Sequence, residues 1–256
     1  MTAAVVTGAS RGLGRGIASA LAGAGFDVVV GYHRDAVGAS DVVAEVEALG
    51  RRAIAVGGDV ADEGTSKALL DAAVTALGGL DVWVNNAGIS VLAPVVDTPM
   101  AELSRMLDVN LIGTAHGVQA AARWFLDQGR PGRIVNIASE VGVQAFPLLG
   151  AYAATKFAVV GLTQAAALEL SPSGITVNAV CPGTAETDMV LAERVSETTL
   201  TGRTSDDVRA GYLDGIPAGR FCEPSDVGAV VAFLAGPGAA YLTGQSICVN
   251  GGSVLR

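Results

Sequence analysis

Three residues able to hold or move a proton fall within one stretch of this 256-residue sequence: Ser139, Tyr152 and Lys156. Tyr152 and Lys156 stand four apart in an alanine-rich segment with helical periodicity, so both project from one helix face. A tyrosine hydroxyl with a pKa of about 10 is a poor acid–base catalyst at neutral pH. An ammonium beside it favours the phenolate and lowers that value. Ser139 ends a strand-like run thirteen residues earlier, placed to donate a hydrogen bond to a substrate oxygen as charge develops on it. Tyr152 would then supply the proton in a reduction or remove it in an oxidation.

A second constellation concerns binding. Thr7-Gly8-Ala9-Ser10-Arg11-Gly12-Leu13-Gly14 follows the first strand-like run and opens a helical one. Glycines there let the chain turn tightly and bring backbone N–H groups and a helix N-terminus up to a pyrophosphate. The spacing is G-x-x-x-G-x-G rather than the usual dinucleotide fingerprint. At the end of the second strand an acid would bind the adenosine ribose 2′-hydroxyl, whereas an arginine accommodates a 2′-phosphate. Tyr32-His33-Arg34 stands there, with no acid until Asp35. Arg34, together with Arg11, therefore points to NADPH in preference to NADH, the latter staying open.

These residues need a frame that brings several strand ends to one edge. Strand-like runs at Ala3–Thr7, Asp27–Gly31, Arg52–Gly57, Val82–Asn85, Arg133–Ala138, Thr176–Val180 and Ser246–Val249 alternate with helical periods. The helical periods are Gly12–Ala24, Ala36–Leu49, Gly64–Leu77, Met100–Asp127, Ala151–Leu170 and Pro224–Leu234. Runs such as Val28-Val29-Val30 are apolar on both faces, as a parallel sheet covered on both sides requires. The expectation is a single α/β domain over residues 1–256, a Rossmann-like doubly wound parallel sheet of seven strands with helices on both faces. The polar interval Asp188 to Gly215 reads as a lid over the substrate.

Composition removes other classes. Half of the residues are hydrophobic and 34 are glycine, yet no run of roughly 18 apolar residues free of charge offers a membrane span. The formal net charge of −9 and the lack of a basic cluster argue against nucleic acid as partner. Three cysteines without C-x-x-C spacing argue against a disulfide framework and for a reducing cytoplasm, and no secretory leader pattern follows Met1. Two distant histidines, His33 and His116, give no support for a metal site or a Ser-His-Asp triad.

Taken together, the sequence resembles the short-chain dehydrogenase/reductase family over nearly its whole length. The matching stretches are Thr7-Gly8-x-x-x-Gly12-x-Gly14, Asp59-Val60, Asn85-Asn86-Ala87-Gly88, Asn110, Ser139, Tyr152-x-x-x-Lys156 and Pro182-Gly183 followed by Thr187. The resemblance implies that Asp59 and Val60 hold the adenine, and that Asn86, Ala87 and Gly88 stabilise the sheet centre and contact the cofactor. It implies that Asn110 bends its helix and places a water linking Lys156 to solvent, and that Pro182, Gly183 and Thr187 meet the nicotinamide end. It also implies that the helix face with Phe157, Val160, Gly161 and Gln164 packs on a copy of itself, in a homodimer or homotetramer.

Within the family, Lys156 to Gln164 and Tyr241 to Ser246 are similar to acetoin reductases and butanediol or polyol dehydrogenases. Gly132 to Ser139, Ala179 to Gly183 and Gly236 to Ala240 are similar to polyketide and 3-oxoacyl carrier-protein ketoreductases, which use NADPH. The reading is an NADPH-dependent ketoreductase acting on a small-molecule or carrier-bound ketone, the alternative an NAD-dependent acetoin, butanediol or polyol dehydrogenase. A non-catalytic dinucleotide sensor is a third class, against which the intact Ser139, Tyr152 and Lys156 argue. Val91, Leu92, Gln144, Phe146, Met189 and Val190 are candidate pocket residues. Glu140 either accepts hydrogen bonds from a hydroxylated or amine-bearing substrate or is a solvated loop charge.

Overall fold

The computed structural model describes residues 2–255. Seven strands form one parallel sheet: β1 Ala3–Val6, β2 Asp27–Tyr32, β3 Ala53–Gly57, β4 Val82–Asn85, β5 Gly132–Ile137, β6 Ile175–Pro182 and β7 Ser246–Val249. Their order is β3-β2-β1-β4-β5-β6-β7, so the chain winds outward in one direction and then the other, reversing between β1 and β4.

Alternation along the strands explains why they are apolar throughout. Ala4, Val6, Val28 and Val30 face helices α1 (Gly12–Gly23), α2 (Ala36–Ala48) and α9 (Pro224–Ala235), through Ile17, Leu21, Val42, Val46 and Val231. Ala3, Val5, Val29 and Trp83 face the other layer, α3 (Glu63–Ala72), α5 (Gly113–Asp127) and α6 (Gly150–Leu170), through Leu69, Phe125 and Ala166. Each fully buried valine, leucine or isoleucine stabilises the fold by roughly 1.5–3 kcal/mol, so both faces must be covered. Helices α1 and α9 cross with almost no space between them. A Cβ at Gly16 would lie 2.5 Å from Pro224, and one at Gly228 would lie 2.7 Å from the Gly16 carbonyl.

Three segments differ from the sequence expectation. The helix expected over Gly64–Leu77 is α3 only as far as Ala72 and ends in a π turn at Ala73–Leu77. The helix expected over Met100–Asp127 is broken into α4 (Met100–Met106) and α5 by a π turn at Leu107–Ile112 that contains Asn110. Periodicity does not reveal such a turn, but the bend that the family resemblance implies at Asn110 falls within it. The polar interval after β6 is not loop but a helical pair, α7 (Asp188–Thr201) and α8 (Ser205–Asp214). Among the described residues no helix is long and apolar enough to cross a membrane, and no group of side chains has the make-up of a metal site. Cys181, Cys222 and Cys248 are unbridged.

Candidate active site

The strand reversal between β1 and β4 opens a crevice at the carboxyl ends of the strands, the usual ligand site of an open α/β sheet. Polar bonds close its floor. The Thr7 hydroxyl accepts from the Asn86 and Ala87 N–H groups at 2.9 and 3.0 Å. The Asn86 amide in turn donates to the Thr7 and Gly8 carbonyls at 2.9 and 3.0 Å. Gly12 takes the left-handed conformation (φ 54°), and a Cβ there would lie 3.4 Å from the Thr187 methyl, so the glycine loop meets the segment after β6. Gly8 is left-handed too (φ 62°), and Gly14 is small for another reason: a Cβ there would lie 2.2 Å from the Gly8 carbonyl. Space at Gly183 is filled by Asn250.

Those residues fit a dinucleotide. Helix α1 has no side-chain cap at Arg11, which leaves its first backbone N–H groups for an anionic ligand, whereas α2 and α3 are capped by Asp35 and Asp62. Around the end of β2, Tyr32 packs across Gly57, and Asp59 receives Arg105 at 2.6 Å and faces His33 at 3.9 Å. Val60 is buried against Gly113. Arg34 is exposed, while Asp35, the first acid after β2, accepts the Gly38 N–H at 3.0 Å as the α2 cap. Arg11 reaches the first residue of α7 and pairs with Asp188 at 3.2 Å, both side chains largely in solvent. Ser10 is buried, and Leu13 packs against the core below the loop.

At the other end of the crevice stand the three proton-handling residues. Ser139 caps a single turn, its Oγ accepting the Val141 N–H at 3.1 Å, so its own proton is free to be donated. That hydroxyl acts directly on the Tyr152 phenol. Tyr152 is buried among Met106, Val141 and Ala153, with Ile89, Val91 and Phe146 against them. Lys156 is buried below, its Nζ donating to the Ile137 carbonyl at 2.9 Å and lying 5.6 Å from the Tyr152 ring centroid.

Burial raises the Tyr152 phenol pKa, the Glu193 carboxylate and Cys181 thiol add to the rise, and the Ser139 hydroxyl opposes it. Tyr152 is therefore protonated, in the form that serves a reduction. Burial also lowers Lys156, to about 8.

Asn110 holds the frame rather than facing solvent. Its amide donates to the Ile89 carbonyl at 2.9 Å and to the Thr155 hydroxyl at 3.0 Å, and its Oδ1 accepts the Ile89 N–H at 2.8 Å. A Cβ at Gly88 would stand 3.4 Å from Asn110 Oδ1 and 3.5 Å from Lys156 Nζ, so the three meet at one point. Behind them a buried chain runs from Trp83 Nε1 to Asn85, Asn136 and Thr163, with links of 2.7, 2.9 and 2.9 Å, which ties β4 and β5 to α6. The sequence reading named none of these beyond Asn85.

Glu140 belongs neither to the pocket nor to solvent. It is 7 % exposed, and its carboxylate turns toward the C-terminal segment, where it receives Ser253 and is supported by Asn250 and the Thr184 backbone. Burial raises its pKa. Of the candidate pocket residues, Val91 and Phe146 pack with Tyr152 and Leu92 is buried, while Gln144 is exposed and Met189 and Val190 are half-buried in the first turn of α7. Helix α7 contributes a residue that nothing in its acid-rich sequence singled out, Glu193, whose charge acts on Tyr152.

Fold and site together describe an α/β oxidoreductase built around a dinucleotide crevice. The chain belongs to the short-chain dehydrogenase/reductase family: the family model described as enoyl-(acyl carrier protein) reductase matches residues 8–253. It is 41 % identical to a diacetyl reductase ((S)-acetoin forming) of Staphylococcus epidermidis over 99 % of this chain and 98 % of that one. It is 42 % identical to the 3-oxoacyl-(acyl-carrier-protein) reductase FabG of Staphylococcus aureus, covering 98 % of each. The solved structure of acetoin dehydrogenase from Enterobacter cloacae superposes with a TM-score of 0.85 at 38 % identity, over 98 % of this chain and 95 % of that one. Membership implies a nicotinamide dinucleotide cofactor.

Proposed function

We propose that this enzyme is an NADPH-preferring carbonyl reductase that interconverts a small ketone and a secondary alcohol. The observation that carries the reading is the meeting of Ser139, Tyr152 and Lys156 at one end of the crevice, with the Ser139 hydroxyl against the Tyr152 phenol and the Lys156 ammonium beneath its ring. When bound, the nicotinamide supplies the hydride. Ser139 donates to the carbonyl oxygen and places it beside Tyr152, which gives up its proton as negative charge builds on that oxygen. The Lys156 ammonium, anchored on Ile137, stabilises the phenolate left behind. Asn110 keeps Lys156 and the Gly88 backbone in register through Ile89 and Thr155.

The cofactor preference rests on the β2 end, where the first acid is used as a helix cap and Arg34 stands free to meet a 2′-phosphate. A second reading, an NAD-dependent acetoin or butanediol dehydrogenase, draws support from the diacetyl reductase and acetoin dehydrogenase relatives. The exposed face of α6, with Phe157, Gly161 and Gln164, supports assembly as a homodimer or homotetramer, and the three free thiols suit a reducing cytoplasm. The test is absorbance loss of NADPH and of NADH across a ketone panel, with Tyr152→Phe in parallel. The expected loss of turnover is about 10²–10⁴-fold or more, and near-normal turnover in the variant refutes the assignment.

A further inference from the structure

The segment after β7 is bonded to the residue next to Ser139. Asn250 to Val254 fold into a tight loop, in which the Asn250 amide donates to the Val254 carbonyl at 2.9 Å and the Gly252 N–H donates to Asn250 Oδ1 at 3.2 Å. Three parts of the active-site region grip this loop. A Cβ on Gly183, after β6, would lie 2.8 Å from Asn250 Cα, and the Gly183 N–H donates to the Val249 carbonyl at 3.0 Å. Beyond α8, the Ala218 N–H donates to the Gly251 carbonyl at 2.9 Å. The third grip is on Glu140, whose carboxylate accepts the Ser253 hydroxyl, with Asn250 and the Thr184 N–H in support.

Ser139 and Glu140 open the same single turn. The Ser139 Oγ and carbonyl accept the Val141 and Gly142 N–H groups at 3.1 and 2.8 Å, and the Glu140 carbonyl accepts those of Val143 and Gln144 at 3.1 and 3.0 Å. A Cβ on Gly142 would lie 2.9 Å from the Lys156 carbonyl, so the turn rests on α6 at Lys156. Its link to the C-terminal loop is the Glu140 side chain. That carboxylate is 7 % exposed, and among the described residues no cation pairs with it. A carboxylate buried among neutral donors is costly, so packing stability does not account for it. Its two oxygens only accept, and donors arriving from two different segments fix its direction.

We propose that Glu140 is a positioning residue: clasped by Ser253 and Asn250, it fixes the turn from which Ser139 presents its hydroxyl to the substrate oxygen. The C-terminal loop thereby acts on the reaction without touching the substrate. This rests on the reading of Ser139 as the donor to that oxygen.

The test places Glu140→Ala and Ser253→Ala in the wild-type enzyme and in a Ser139→Ala background. Each is assayed for kcat well below its unfolding midpoint, with the ketone of the panel that the wild type reduces fastest. In the wild-type background Glu140→Ala is expected to lower kcat about 10- to 100-fold, short of the about 10²–10³-fold that removal of such a donor costs. Ser253→Ala is expected to lower it by a smaller factor. In the Ser139→Ala background neither substitution should lower kcat further, because the group they position is gone. Equal fractional losses in both backgrounds mark a general weakening of the fold and overturn the proposal.

A second measurement needs no turnover. Amide hydrogen exchange of the Val141–Gln144 peptide in nucleotide-free protein is expected to quicken in Ser253→Ala, and unchanged exchange overturns the proposal even if Glu140→Ala does not fold. Failure of the underlying reading looks different: Ser139→Ala with a kcat near that of the wild type refutes Ser139 as donor.

Discussion

The Lys156 ammonium donates to the Ile137 carbonyl at 2.9 Å, so the last residue of β5 fixes the height of the charge beneath Tyr152. Two residues further, the same strand end delivers Ser139. One backbone segment thus sets both the hydrogen-bond donor for the substrate and the cation for the phenol, while α6 supplies the phenol itself.

Burial lowers Lys156 from 10.5 to about 8, so the ammonium predominates at neutral pH and is lost as the solution becomes alkaline. The kcat/KM for ketone reduction should therefore fall above an apparent pKa near 8, and Lys156→Arg should remove that limb because guanidinium stays charged. A pH–rate profile checks it; a flat profile from 8 to 10.5 contradicts it. The same shift sets a stability trend. Unfolded lysine binds its proton more tightly, so the cost of the buried ammonium is fully present below about 8 and is relieved as pH rises toward 10.5.

Arg34 is exposed and its neighbour Asp35 is occupied as a cap. Arg34→Ala should lower the ratio of kcat/KM for NADPH to that for NADH about 10- to 100-fold, the loss of a charge-assisted phosphate contact. Steady-state kinetics with both nucleotides measures this, and an unmoved ratio excludes Arg34 as the phosphate ligand.

Asn136 sits in the middle of the buried chain that joins Asn85 to Thr163. Asn136→Ala strands partners on both sides, and each orphaned group costs about 1–3 kcal/mol. Denaturant unfolding should report a loss of about 2–6 kcal/mol. Stability equal to wild type would mean that the sheet and α6 are held together by apolar packing alone.

Glu140 ties the turn after Ser139 to Ser253. Glu140→Ala should lower the unfolding midpoint by leaving that hydroxyl and Asn250 without their acceptor, at about 1–3 kcal/mol. Thermal unfolding is the check, and an unchanged midpoint would show that the C-terminal segment is anchored by other contacts.

Local chemistry in the sequence is sufficient for the doubly wound frame. Valine runs such as Val28-Val29-Val30 bury both faces of a strand wherever they fall, and a tyrosine and lysine four apart share a helix face in any helix. Glycines between a first strand and a first helix are legible for the same reason: they act over a few residues. What the sequence could not decide is direction across the fold. Whether Glu140 faces substrate, solvent or the C-terminal segment depends on Ser253, more than a hundred residues away, and the side-chain partners of Asn110 in the π turn are the distant Ile89 and Thr155. Burial is the largest influence on the phenol pKa, and the spacing of Tyr152 to Lys156 does not reveal it. Only the tertiary structure chooses, among the acids of α7, Glu193 as the one whose charge acts on Tyr152, because helix phase and docking angle, not residue type, set which side of α7 is turned inward.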